Sequence, residues 1–210
     1  MMEQGSAEWI AARVGKVGAS RVADIIDKTK SGPSASRATY MGQLIAERLT
    51  GKPMDGFSSP AMQWGTDCEG AARAAYQFEI GALVERVGFI EHPKIIMSGA
   101  SPDGYVGGDG LLEIKCPNTA THIETLLGQS VPSKYVTQMS WQMACTGRAW
   151  CDFVSFDPRM PDSMSLFVKR VHRDDKLIAE LENAVIVFIA ELDDKVAQLS
   201  ARYDVKREAA

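Results

Sequence analysis

Near residue 82 the spacing of apolar residues changes from a helical repeat to strict alternation, which limits the chain to folds that combine helices with a sheet. Upstream, Ser6 or Ala7 opens a short helix through Arg13, and Ser20 is expected to cap a second helix over residues 21–28. Residues 34–50 carry Met41, Leu44, Ile45 and Leu49 on one helical stripe, closed by Gly51. Residues 60–79 gather Trp64, Cys68, Ala71, Ala72 and Ala75, with Glu69 beside that stripe. Residues 82–91, 101–106 and 111–116 then read as strands, separated by His92-Pro93 and by the turn Gly107-Gly108-Asp109-Gly110. Helices are predicted over 119–127 and 133–146, strands over 149–157 and 164–172, and a long amphipathic helix from Asp174 to about Tyr203. The expected class is α/β (α+β), a central sheet flanked by helices, in one domain spanning residues 1–210.

Several function classes fall away on composition. No apolar run approaches the roughly 20 residues of a membrane-spanning helix, and residues 1–6 lack the apolar stretch of a secretory signal, so a cytoplasmic chain with no membrane partner is expected. The four cysteines, Cys68, Cys116, Cys145 and Cys151, have neither C-x-x-C spacing nor disulfide-scaffold density. A net charge of −4 excludes a uniformly basic coat protein, yet the first 52 residues hold eight Lys/Arg against five Asp/Glu. Such a chain can still hold DNA if its cations line one groove.

The chemistry concentrates in Leu111-Leu112-Glu113-Ile114-Lys115. Strand alternation points Glu113 and Lys115 to one face and Leu112 and Ile114 to the other. Ten residues earlier, Ser101-Pro102-Asp103-Gly104 supplies a second carboxylate at a turn, which a hairpin of this length can bring beside Glu113. Asp103, Glu113 and the Ile114 carbonyl make a hard oxygen site suited to magnesium, with manganese as a substitute. Phosphodiester hydrolysis needs such a cluster, because one or two metal ions can activate water and stabilise both attacking and leaving oxygens. Lys115 would orient the nucleophilic water, and it could act as a base only with a strongly lowered pKa.

At these residues the chain resembles the PD-(D/E)xK nuclease superfamily and, within it, the lambda exonuclease family, also called YqaJ-like. The resemblance runs through Trp9, Arg13-Val14-Gly15, Ala19-Ser20, Trp64-Gly65, Glu69, Ser101-Pro102-Asp103-Gly104, Glu113-Ile114-Lys115-Cys116-Pro117, Tyr135, Gln138 and Asp157-Pro158-Arg159-Met160. It implies a mixed β-sheet of restriction-endonuclease type and magnesium-dependent exonuclease action on duplex DNA ends from the 5′ side. It also implies a homotrimeric ring around the duplex and a single-strand annealing protein as partner in phage-type recombination.

Matched by motif, Asp103, Glu113 and Ile114 become metal ligands, Lys115 the holder of water, and Glu69 a further ligand or water contact; Gln138 joins the catalytic set. Arg13, Ser20 and Ser101 match a 5′-phosphate pocket, a role for which Arg and hydroxyls are well suited. Lys28 and Lys30 fall where the family presents a basic residue to DNA, Met62 where it has an apolar wedge, and Gln142 lies one helical turn from Gln138. One departure is that Thr119-Ala120-Thr121-His122 stands where the family has an arginine after the Glu-x-Lys motif. Two alternatives stay open: a structure-specific endonuclease of the same superfamily, and a DNA-end-binding protein without turnover.

Overall fold

Ser6 accepts the Trp9 amide and so starts α1 (Ala7–Arg13), after which the short strand β1 (Val17–Gly18) leads into a 3₁₀ turn, Ala19–Arg21. The structure, a computed structural model, describes residues 2–30, 32–54 and 60–203. Ser20 lies inside the 3₁₀ turn and caps nothing, which corrects the expectation for the second helix. That helix, α2 (Val22–Ile26), stops early because residues 28–29 form β2 (Lys28–Thr29), antiparallel to β3 (Gly32–Pro33). Ser34 then caps α3 (Ala35–Thr50), and Gly51 closes it at φ +65°, a left-handed conformation natural to glycine. In α4 (Pro60–Ile80) the buried face is Cys68, Ala72 and Tyr76, while Ala71 is exposed.

The predicted strand over 82–91 is two strands, β4 (Val84–Glu85) and β5 (Ile90–Glu91), serving different sheets. The N-terminal segment intervenes. The Gln4 amide donates to the Val87 carbonyl at 2.9 Å, and a Cβ on Gly88 would stand 2.6 Å from the Met2 carbonyl oxygen. There follow β6 (Ser98–Ala100), β7 (Gly104–Val106), β8 (Gly110–Lys115), α5 (Thr119–Gly128), α6 (Ser133–Thr146), β9 (Trp150–Phe156), α7 (Asp162–Ser165), β10 (Leu166–His172) and α8 (Asp175–Tyr203).

The main sheet has the order β10-β9-β8-β7-β4, with β8 and β9 parallel and the other neighbours antiparallel; a smaller sheet has the order β1-β6-β5. Alternation along β8 works as predicted. Leu112 and Ile114 pack with Cys68, Ala72 and Tyr76 of α4, while Leu111 packs with Met139 and Met143 of α6. Both faces are therefore covered, as the burial of Leu111, Leu112 and Ile114 requires, and each such side chain contributes about 1.5–3 kcal/mol by leaving water. A third cluster joins α2, α3 and α8 around Tyr40, Leu44, Leu181 and Phe188. Among the described residues, no helix is long and apolar enough to cross a membrane.

Candidate active site

The hairpin from β7 to β8 sets the centre. Gly104 pairs with Leu112, and the Asp103 amide donates to the Leu112 carbonyl at 3.1 Å, so Asp103 lies alongside β8 where the spacing predicted it. Its carboxylate Oδ2 in turn accepts the Ile114 amide at 2.6 Å. Close approach is possible because position 104 is glycine: a Cβ there would stand 2.2 Å from Val84 Cγ1.

Glu113 points from the opposite face to Ile114, toward α6, and is almost wholly buried. Three donors hold it. Gln138 Nε2 reaches Oε1 at 2.6 Å, Gln142 Nε2 reaches Oε2 at 2.5 Å, and the Lys115 ammonium pairs with Oε1. Such charge-assisted bonds offset the cost of burying a carboxylate. Burial alone pulls the Lys115 pKa down, but Glu113 and Asp103 together outweigh it and hold the group above its ordinary value. With both carboxylates free of metal, Lys115 is therefore held as an ammonium donor. For Asp103, burial first and the Glu113 charge second push the pKa well above the carboxylate range, against the pull of Lys115.

Asp103, Glu113, Lys115 and Gln138 line one cavity of about 150 Å³ together with Arg13, Ser20 and Ser101. The cavity thus unites residues from α1, the 3₁₀ turn, the β6–β7 connection, β8 and α6. Trp9 fixes its far wall by donating Nε1–H to Ser101 Oγ at 2.9 Å, and the Arg13 guanidinium lies 3.8 Å from the centre of the Trp9 ring. Among the described residues, Arg13 has no hydrogen-bonded or ion-paired side-chain partner, and burial pushes its pKa down. The other cation of the cavity, Lys115, is neutralised by Glu113. The Glu47 charge acts on Arg13, but among the described residues no carboxylate forms an ion pair with it, so a guanidinium stacked on an aromatic plate keeps its donors for an anion.

The remaining expected residues fall outside this cavity. Glu69 sits on α4 and is ion-paired with Arg73, whose guanidinium also reaches the Asp103 carbonyl at 3.5 Å. Ile114 is buried against α4, with its amide given to Asp103. Gln142, read as a contact to DNA, is wholly buried and turns inward, where its amide donates to Glu113 and its carbonyl oxygen faces the Cys151 thiol. Lys28, in β2, and Lys30, just after it, are exposed and do not line the cavity. The side chain of Met62 lies outside the described residues. His122, in the segment that departs from the family pattern, is wholly buried: Nε2–H donates to the Met164 carbonyl at 2.8 Å, which leaves Nδ1 to accept from Ser155 Oγ at 2.8 Å. It ties α5 to the sheet and offers nothing to a phosphate.

Arg73 is the residue the sequence reading missed. A signal existed, since Glu69 and Arg73 stand one helical turn apart. The donor set fits a magnesium-type ion: two carboxylates of like charge face one cavity, and magnesium commonly takes one or two carboxylates and keeps its waters. Among the described residues, no three His, Cys, Asp or Glu side chains are gathered into a complete cage.

The sequence model of the YqaJ-like viral recombinase domain matches residues 8–149, a span that includes Arg13, Glu69, Asp103, Glu113, Lys115 and both glutamines. The chain belongs to the YqaJ-like viral recombinase family. Of solved structures, this family member is similar to LHK-Exo, an alkaline exonuclease from Laribacter hongkongensis, at 53% identity over 94% of this chain and 97% of the other, with a TM-score of 0.88. LHK-Exo in complex with dAMP matches at 54% identity, with the same coverage and TM-score. A phage related exonuclease from Haemophilus somnus 129PT shares 16% identity over 88% of this chain and 96% of its own, with a TM-score of 0.72, a likeness of fold. No curated protein matches the chain. These likenesses bear out the expected class, mixed sheets flanked by helices in the PD-(D/E)xK-like exonuclease fold.

Proposed function

We propose that this YqaJ-like protein is a magnesium-dependent exonuclease that shortens one strand of linear duplex DNA from its 5′ end and leaves a 3′ single-stranded overhang. The observation that carries the reading is the pairing, in one cavity, of an acidic centre with an arginine that forms no ion pair among the described residues. Hydrolysis explains the first, and recognition of a terminal phosphate explains the second. The likeness to LHK-Exo, an alkaline exonuclease, supports the same class of reaction.

In this mechanism Arg13, with the Ser20 and Ser101 hydroxyls, binds the terminal 5′ phosphate and sets the next phosphodiester beside Asp103 and Glu113. Magnesium held by Asp103, Glu113 and the Ile114 carbonyl would supply Lewis-acid polarisation of that phosphodiester and activation of water. Lys115, kept protonated by its two acidic neighbours, donates to the attacking water or to the phosphate oxygen on which charge grows. Gln138 and Gln142 hold the Glu113 carboxylate in one orientation while this happens. Glu69 is the outlying member of the ligand set, and its ion pair with Arg73 has to give way before it takes part. Lys28 and Lys30 extend the basic surface toward duplex phosphates.

Assembly as a homotrimeric ring, cooperation with a single-strand annealing protein and action in a bacterial cytoplasm complete the proposal, on the family resemblance. The deciding experiment is digestion of linear duplex DNA bearing a 5′ phosphate at one end and a 5′ hydroxyl at the other, with and without magnesium. Nucleotide release from the phosphorylated end alone, and only with magnesium, is the expected result. Degradation from 3′ ends, or nicking of closed circles, would instead support the endonuclease or another polarity.

A further inference from the structure

A second chamber, of about 180 Å³, lies directly behind the first, and the two share Trp9, Arg13, Gly18 and Phe89 as their partition. Its own walls mix apolar surface from Ile10 and Pro53 with the Gln43 amide. Three cations border it. Lys16 is paired with Glu91 at 2.5 Å and Arg21 with Asp24 at 2.6 Å, so among the described residues Arg13 is the cation of this chamber that forms no ion pair, although the Glu47 charge acts on it. The acidic group of the chamber is also engaged: Glu47 accepts the Gly15 amide at 2.8 Å and the Gln43 amide at 2.9 Å. An anion that leaves the first chamber therefore meets the same guanidinium from the other side.

We propose that this second chamber is a product site, which takes the released nucleoside 5′-monophosphate on its way out. The inference rests on the exonuclease reading above. On that reading, one hydrolytic event adds water across the phosphodiester on the 3′ side of the terminal nucleotide. The phosphate stays with the shortened strand as its new 5′ end, and the departing nucleotide keeps a 3′ hydroxyl and the 5′ phosphate already bound to Arg13. The duplex stands on the side of Asp103 and Glu113, so the free way for the nucleotide is past Arg13. The two chambers together reach the lower end of the size range of small-ligand sites, ~300–1,000 Å³. Flat aromatic and apolar walls around a cation and an amide suit a base joined to a phosphate.

The test fills the rear chamber from two walls that do not border the catalytic one, with Ile10→Trp and, separately, Pro53→Trp. Both positions are exposed enough to accept a larger ring, and a thermal melt of each variant confirms folding. Inhibition by added dAMP is then measured during digestion of 5′-phosphorylated linear duplex. Expected is an inhibition constant raised about tenfold or more, equivalent to one lost set of favourable contacts, with steady-state release slowed more than the first cleavage. A folded variant that is inhibited by dAMP as strongly as the parent overturns the product site while leaving the exonuclease reading intact. A variant that loses only the cleavage of substrates with extra nucleotides beyond the 5′ phosphate also overturns it, because the chamber would then hold substrate. A parent protein that releases no nucleotides from any duplex end overturns the underlying reading itself.

Discussion

The two ends of the main cavity are built on opposite principles. At one end Glu113 is nearly saturated: Lys115, Gln138 and Gln142 take three of its roughly four acceptor sites and leave room for a cation. At the other, Arg13 lies on the Trp9 ring and, among the described residues, forms no ion pair. Preorganisation explains the first arrangement, because groups that stabilise developing charge work best when nothing has to reorient during reaction. Recognition explains the second. A guanidinium already paired with a carboxylate would have to break that bond before reading a phosphate, and the affinity for the substrate would fall accordingly.

Breaking the saturated end has the largest expected effect. Glu113→Gln removes the charge and Lys115→Ala removes the ammonium, and each is expected to lower kcat for nucleotide release by roughly 10²–10³-fold or more. Duplex binding, followed by fluorescence anisotropy, should change far less, which separates chemistry from affinity. Breaking the open end gives a different signature. Arg13→Ala removes one charged hydrogen-bond donor to the terminal phosphate, worth about 1.5–3 kcal/mol, or roughly 10- to 100-fold in kcat/KM. That loss should appear on 5′-phosphorylated ends and nearly vanish on 5′-hydroxyl ends. Equal losses on both ends would mean that Arg13 supports the fold of α1 rather than reading phosphate.

Legibility followed the range of the interactions involved. The β8 alternation, the caps at Ser6 and Gly51, and the placement of Asp103 by the β7–β8 hairpin all depend on neighbours within about a dozen residues, and all were readable. Ser98-Gly99-Ala100 was invisible as a strand, because it exists by pairing with β1, some eighty residues earlier, and with β5. The same holds for residues 82–91, whose unbroken period of two conceals the crossing of the N-terminal segment at Val87 and Gly88. The site divides along the same line. Glu113 and Lys115 were found from spacing, but the inward turn of Gln142 and the bridging by Arg73 depend on which face of each helix the sheet covers.

Gln142 offers a finer cut at the saturated end. Gln142→Met keeps the side-chain length and apolar burial while it removes one donor from a buried carboxylate, at a cost of about 1–3 kcal/mol of stability. Activity is expected to fall about tenfold with the KM for DNA unchanged, since Gln142 is too deep to touch the duplex. A change in KM without a change in kcat would return Gln142 to the role of a DNA contact.

The smallest effect is a shift in stability, and it tests whether Asp103 carries unrelieved repulsion. Its folded pKa is raised, chiefly by burial and then by Glu113, so the folded chain holds a proton that the unfolded chain has released. The sign follows from linkage: the stability that goes with protonated Asp103 is fully present below the unfolded value, near pH 3.9, and is lost as pH rises through the folded value. At pH 7 to 8 without metal, Asp103→Asn should therefore melt at a higher temperature than the parent, while its nuclease activity is expected to be lost. Magnesium should raise the parent's melting temperature at pH 8, and progressively less toward pH 4, where a proton competes for Asp103. In Asp103→Asn the magnesium increment should shrink at every pH. An increment that survives this substitution would locate the cation away from Asp103, and an unchanged melting temperature without metal would mean that Lys115 already balances both carboxylates.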